Sequence, residues 1–227
     1  ISGTGNTFFP MLRLSPYEDA QSTLNPALIP GAVPLDEEVQ ADATIAMLVP
    51  YFKSVHESGR MGLNNIDPDT DGVTRQYQSY IDDYGWKVPS LPLRIAQELK
   101  FPETESQRVF LNWRGPPFTY HSVSFSEVYK DLTGRSKSRP ANEFSGKIVI
   151  VGSTASSLFD IKPTPMSRSH PGVEILATAI DNFKHADYLR IPDTRIFYLL
   201  LTLLVVWLTA WGFYRDSGRD KIDLLFG

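Results

Sequence analysis

Asp67, Asp69 and Asp71, at alternate positions and followed by Gly72, are the densest concentration of ligand chemistry in the chain. Oxygens at positions 1, 3 and 5 of a loop with glycine at 6 begin a helix–loop–helix calcium site, because a hard cation needs several oxygens and the backbone must turn sharply beneath it. Counted from Asp67, position 9 is the cationic Arg75 and position 12 is Gln78, where a bidentate acid belongs. An Asx-type turn between two strands, with carboxylates capping backbone N–H groups and Arg75 neutralising them, therefore accounts better for the stretch. Asn64, Asp67, Asp69, Asp71 and Arg75 are expected to form a polar rim that binds or gates. Calcium on Asp67, Asp69 and Asp71 is the metal alternative, and no other cofactor is expected.

Ser153, Thr154 and Asp160 are the second group. They follow Phe144-Ser-Gly-Lys-Ile-Val-Ile-Val-Gly152, a β-branched run bounded by glycines that reads as a central strand covered on both faces. The carboxyl end of such a strand is where α/β sheets place ligands. Neither a phosphate loop of the G-x-x-x-x-G-K-[ST] type nor a G-x-G-x-x-G fingerprint is present. Ser153, His170 and Asp160 also supply the residue types of a hydrolase triad, but without a G-x-S-x-G elbow. The four histidines, at 56, 121, 170 and 185, form no i, i+4 His pair for a metal.

The elements that must position these groups are short. Prolines 10, 16, 26 and 30 forbid a long helix in the first thirty residues and confine strands to edges, so one short strand and an extended loop are expected there. Leu35 to Leu48 is helix-compatible, as is Pro50 to Ser58 before a stop at Gly59. Gln76 to Asp82 alternates as a strand, Asp83-Tyr-Gly-Trp86 bends like a hairpin, and Ser90 caps a helix through Leu99 with Leu91, Ile95, Ala96 and Leu99 on one face. Val109 to Trp113 and Thr119 to Val123 read as extended. Ser124-Phe-Ser-Glu127 has capping-box spacing ahead of a helix to Leu132. Gly134 to Asn142 reads as a solvated loop, and Val173, Leu176, Ile180 and Phe183 as the inward stripe of a helix ending at His185.

Ile196 to Tyr214 contains no charged residue. At about 1.5 Å per residue such a helix reaches roughly 28 Å, the thickness of a bilayer's hydrocarbon. Lys184, Arg190 and Arg195 before it balance Arg215, Arg219 and Lys221 after it, so flanking charge does not orient it. Arg215 to Asp223 reads as a polar turn, with Leu224-Leu-Phe226 opening a further span. With 227 residues, no cysteine, 42% hydrophobic residues and a net charge of -4, the chain suits one sizeable domain plus the span. It carries neither disulfides nor a basic face for nucleic acid. No signal peptide is read at Ile1, and the chain is taken to be a fragment.

The motifs G-L-N-N-I-D-P-D-T-D-G-V-T-R (62–75), P-S-L-P-L-R-I-A (89–96), N-W-R-G-P-P (112–117), S-F-S-E-V (124–128), F-S-G-K-I-V-I-V-G-S-T-A (144–155), D-I-K-P-T-P-M (160–166) and P-G-V-E-I-L-A-T-A-I-D-N (171–182) succeed one another ahead of the span. In this order they resemble the second type of CHASE domain, from about Arg60 to Tyr214. The resemblance implies an extracytoplasmic sensor in a bacterial inner membrane, preceded by one membrane helix, followed usually by three, and joined to a cyclase or kinase inside. A homodimer and an unidentified small-molecule or environmental signal go with it. The expected architecture is α/β, a mixed sheet flanked by helices and then one transmembrane helix: residues 1–195 the sensor, 196–214 the span and 215–227 a short cytoplasmic loop. The alternatives are a membrane-tethered hydrolase and a Ca²⁺-stabilised interaction module.

Overall fold

Prolines and glycines cut the apolar stretches so often that strands stay at two to five residues and pairing is distributed rather than gathered into one sheet. A computed structural model describes residues 6–35, 39–134, 138–154, 160–190 and 194–226, with side chains of the last helix described to Arg215. In order come β1 (Phe9–Arg13), 3-10 turns at Pro16–Gln21 and Pro26–Leu28, β2 (Val33–Pro34), β3 (Met47–Leu48), α1 (Lys53–Ser58) and β4 (Met61–Leu63). Then follow β5 (Gln76–Gln78), β6 (Tyr80–Asp83), β7 (Trp86–Pro89), α2 (Leu91–Leu99), β8 (Arg108–Phe110), α3 (Phe125–Thr133), β9 (Ile161–Thr164), β10 (Ser167–Pro171), α4 (Gly172–His185) and α5 (Thr194–Phe226). The class is mixed α/β, with the strands divided over four small sheets ordered β3-β1-β4, β2-β7-β6, β5-β8 and β10-β9. Only the β1–β4 pair is parallel among these. Chain contacts separate two units, 1–189 and 190–227.

Two cores fill the first unit. Tyr77, Leu93, Val109, Leu111, Ile175, Ala179 and Phe183 belong to one, where α2 and α4 meet over β5 and β8. Met11, Ile45, Val55, Met61, Leu63 and Val88 make the other. Gly62 lets the two lie close, because a Cβ there would stand 2.6 Å from the Leu91 Cα and 2.7 Å from its nitrogen, distances real Cβ atoms do not tolerate.

Several local readings hold. The β6–β7 hairpin turns through Tyr84 (φ 53°) and Gly85 (φ 82°), both left-handed as a two-residue hairpin loop requires. Ser90 accepts from the Leu93 N–H as the α2 cap, and α1 stops at Gly59 (φ 61°). Leu99, expected on the inward face, is exposed.

Other readings are corrected by tertiary partners. The helix expected over Leu35–Leu48 is absent from its described part, 39–48: the Ile45 N–H bonds Leu24, the Ile45 carbonyl takes the Ser22 hydroxyl, and the Ala46 N–H bonds Asp19, leaving no i→i−4 ladder before β3. Residues 36–38 lie outside the described residues. β1 is a central strand despite Pro10, not an edge. The predicted Gln76–Asp82 strand breaks at buried Ser79, whose N–H bonds Gln107 and whose carbonyl accepts from Ser90, so β5 and β6 have different partners. Thr119–Val123 is irregular. Ser124 makes no capping bond; its hydroxyl meets Ser126 while Glu127 pairs with Arg139. Most consequentially, Phe144–Gly152 forms no strand: Ile148, Val149 and Val151 are exposed, and only Ile150 packs on the first core. A continuous apolar run specifies burial only if a ladder partner reaches it. Finally, α5 runs unbroken to Phe226 in place of the turn at Arg215–Asp223; no proline follows Pro192 to stop it.

One ion-pair cluster pins β1. Arg13 grips Asp19 through both terminal nitrogens at 2.7 Å and Asp83 through Nε at 2.6 Å, with all three side chains largely buried. Asp19 also accepts from the Ala46 N–H and the Tyr84 hydroxyl, and Asn65 clasps the Arg13 backbone N–H and C=O. The Arg13 hydrogen bond holds the Asp19 carboxyl below its ordinary range. Removing one member leaves the others buried without compensation, so Arg13→Met is expected to cost about 3–5 kcal/mol, read as a lowered urea midpoint at unchanged slope.

Candidate functional site

The carboxylate loop is the turn that the residue types favour. Gly72 (φ 80°) lets its N–H reach the Asp69 carbonyl, the Asp69 N–H bonds the Val73 carbonyl, and Asp71 Oδ1 accepts from the Val73 N–H at 3.0 Å. Arg75 forks between Asp71 (2.9 and 2.7 Å) and Asp69 (3.0 Å), while Gln76 Nε2 donates to Asp69 Oδ1. The Arg75 hydrogen bond lowers the Asp71 carboxyl to about 2. Asp67 faces Gln78 instead, whose amide nitrogen reaches Asp67 Oδ2 at 3.1 Å once oriented for it. Asn64 accepts from the Tyr77 hydroxyl at 3.4 Å. Arg75 thus supplies the positive charge between Asp69 and Asp71, as the turn reading expects, and no cluster of three metal-ligating side chains is found among the described residues.

The second group gathers at the N-terminus of α4. The Gly172 N–H bonds the Asp160 carbonyl at 2.8 Å, and the Asp160 carboxylate lies so close over Gly172 that a Cβ would overlap it. A carboxylate at a helix N-terminus meets the positive end of the macrodipole. Gly152 lies against Val173, which brings Ser153 and Thr154 to the same helix end. Ala155, the last residue of the 144–155 motif, lies outside the described residues. The two groups are linked through β9: Asp160 precedes it, and its Pro163 carbonyl accepts from the Thr74 N–H at 2.8 Å.

Beneath this rim lies a buried polar seam that reading by motif passed over. His170 is 2% exposed and Glu174 7%, with His170 Nε2 3.5 Å from Glu174 Oε2. His170 Nδ1 lies 3.2 Å from the Thr164 hydroxyl, and Trp113 packs on the ring at 5.2 Å between centroids. Glu174 Oε2 accepts from the Phe118 N–H at 2.6 Å, and Phe118 is left-handed at φ 66°, an uncommon state for a bulky side chain. Glu174 Oε1 is buried with no hydrogen-bond partner among the described residues. The two His170 nitrogens thus face Thr164 and Glu174. The signal available in sequence was the i, i+4 spacing of His170 and Glu174 with an acid on the inward side of an apolar helix.

Further along α4 the N-W-R motif docks. Asn112 and fully buried Asn182 exchange bonds, Asn112 N–H to Oδ1 at 2.7 Å and Nδ2 to the Asn112 carbonyl at 3.1 Å. Arg114 bridges Asp181 at 2.6 Å and Asp187 at 2.7 Å. A shallow depression lined by Leu63, Asn65, Gln78, Tyr80, Ile81 and Ser90 falls elsewhere and has no enclosed room for a ligand.

The second unit is α5. Thr194–Arg215, 22 residues at mean hydropathy 2.1, is long and apolar enough to cross a membrane. Trp207 and Trp211 stack at 6.0 Å and 5° on one of its faces.

A mixed α/β domain with a polar seam along its last helix, followed in sequence by a candidate span, is the layout of a membrane-attached sensor. The family model of the CHASE2 domain matches residues 13–214. The chain belongs to the CHASE2 family, an extracellular sensor domain of signalling receptors and not a catalytic one. No curated protein and no solved structure matches the chain.

Burial lowers the His170 pKa from its ordinary 6.5, against the opposing pull of Glu174. The unfolded chain thus takes up this proton more readily than the folded one, so the stabilising contribution is complete above pH 6.5 and is lost as pH falls below that value. The melting temperature is expected to drop on acidification from pH 7 to 5, and His170→Gln is expected to flatten that part of the profile. An identical profile for the variant would exclude His170 as the source.

Proposed function

We propose that the chain is the extracytoplasmic sensing part of a bacterial inner-membrane receptor. In this reading residues 1–195 receive a small-molecule or environmental signal, 196–214 cross the membrane and 215–227 lie in the cytoplasm. An intracellular effector lies beyond, and a class III adenylate or guanylate cyclase is the one we favour. The observation that carries the reading is that one family match runs from the folded domain through the apolar helix. Ligand must prefer one of two conformations to shift anything. The rims Asn64–Asp67–Asp69–Asp71–Arg75 and Ser153–Thr154–Asp160 are the proposed points of contact or gating, since both attach to β9 and thereby to the start of α4.

Orientation is tested first. The chain has no cysteine, so Tyr17→Cys and Arg215→Cys give single labels. A membrane-impermeant maleimide on intact cells is expected to modify the first and not the second; the reverse result sinks the proposal. In the full receptor, Asp69→Ala with Asp71→Ala is expected to alter signal-dependent output severalfold. Unchanged output in a normally folded variant removes that rim from the mechanism.

A further inference from the structure

Helix α3 is amphipathic the wrong way round. Phe125, Val128, Tyr129 and Leu132 share one face at i, i+3, i+4 and i+7 spacing, yet no residue of the helix is buried, and Phe125, Tyr129 and Leu132 are 67%, 58% and 76% exposed. The opposite, polar face is the one tied down. Asp131 accepts from the Ser138 and Arg139 N–H groups at 3.1 and 3.0 Å, and Arg139 joins Glu127 at 3.3 Å to Glu143. Ions normally face water and apolar side chains the core, so a helix anchored by its ions presents a surface made for something else. The same segment carries Val149 and Val151, exposed on an extended run with no strand pairing among the described residues.

We infer that this face, α3 with the Ile148–Val151 run, is where a second copy of the chain docks. Area is the first reason. Phe118, Phe125, Tyr129, Leu132, Val149 and Val151 are between 52% and 77% exposed. At roughly 200 Å² per large side chain they offer on the order of 700 Å². As a sum over side chains that approaches the ~800 Å² each partner gives to a stable interface. Self-complementarity is the second. A two-fold axis between Val128 and Tyr129 sets Phe125 against Leu132 of the second copy and Val128 against Tyr129, apolar on apolar throughout, as an isologous interface requires. The residues flanking the stripe, Ser124, Ser126 and Thr133, are uncharged hydroxyls, so no like charges are forced together. Anchoring is the third, since a candidate span holds copies in one plane and raises their effective concentration for each other above that of any soluble partner. A lipid surface fits less well, because interfacial helices line their polar face with Lys and Arg, whereas α3 carries Glu127, Asp131 and a single Lys130. The interface needs the span only as an anchor and is independent of which side the domain faces.

The test is disulfide cross-linking of the full chain in its membrane. Tyr129→Cys, close to the proposed axis, is expected to give at least about tenfold more covalent dimer under mild oxidation than Tyr51→Cys, which is more exposed (96% against 58%) but remote in sequence. Equal yields at both positions overturn the inference. So does a Tyr129→Cys thiol shielded from maleimide without cross-linking, which would assign the face to lipid or another protein. In detergent, Leu132→Asp is expected to weaken self-association about tenfold with unchanged circular dichroism, since Leu132 is 76% exposed in the single chain; unaltered association in this variant also overturns it. These readouts do not involve orientation or signalling, so they can fail separately from the sensor reading.

Discussion

The polar stripe on α4 constrains the rest of the sensing unit. Nine of its residues are buried, and among the leucines, isoleucines and Phe183 stand Glu174, Thr178 and Asn182, groups that cannot leave water without partners. Two of them recruit other parts of the chain. Glu174 takes the Phe118 N–H and faces His170 of β10, Thr178 bonds back to the Glu174 carbonyl, and Asn182 trades bonds with Asn112 just after β8. An apolar helix could slide or rotate by a residue at little cost. One whose buried amide must meet a particular backbone N–H and C=O has a single register. Glu174 is the exception to full satisfaction, with one oxygen left over, and it lies beside the left-handed Phe118. Unspent hydrogen-bonding capacity and backbone strain side by side mark the place where this unit is least settled.

The N-terminal core is fixed by a different device. Arg13 lies on the central strand of its sheet and draws Asp19, Asp83 and the Ala46 carbonyl to one point, so three segments without a shared secondary structure converge. Gly62 then allows β4 to run against the start of α2, which carries the order of this core into the one around α4. The line from the Asp69 loop to α4 is short: the Thr74 N–H holds Pro163 in β9, β9 pairs with β10, and β10 leads directly into α4. A change at the loop has few elements to cross before it reaches the helix that precedes the span in sequence.

What was legible in the sequence is what local chemistry decides. The Asx turn, the two-residue hairpin at Tyr84–Gly85, the Ser90 cap and the left-handed stop at Gly59 each depend on residues within four positions of one another. The apolar stripe of α4 was equally plain, although it concealed the buried Glu174. Readings failed where a distant partner outbid the local one. Residues 39–48 spend their backbone groups on Ser22, Leu24 and Asp19, Glu127 abandons the capping box for Arg139, and Pro10 is tolerated in a central strand. The division of one expected sheet into four has the same origin, because Ser79 changes partners in the middle of an alternating run that periodicity alone joins up.

The exposed Ile148–Val151 run belongs in another category, because here the sequence pattern and the fold of the single chain disagree outright. A β-branched stretch with this composition is adapted to a buried ladder, and in isolation its backbone would be left to water while only Ile150 reaches the core. Natural sequences rarely sustain such a conflict unless a function or a partner resolves it. It lies in the same segment as α3, whose ions are tied to Ser138 and Arg139 and whose phenyl, phenol and leucyl groups face out, so the two anomalies share one stretch between β8 and β9. One unsatisfied stretch of this size in an otherwise well-packed unit is better understood as half of an interface than as two separate defects. The same stretch contains Phe118, whose N–H is held by the seam on α4, so whatever covers it is linked through a single hydrogen bond to the helix on which the sensing unit is registered.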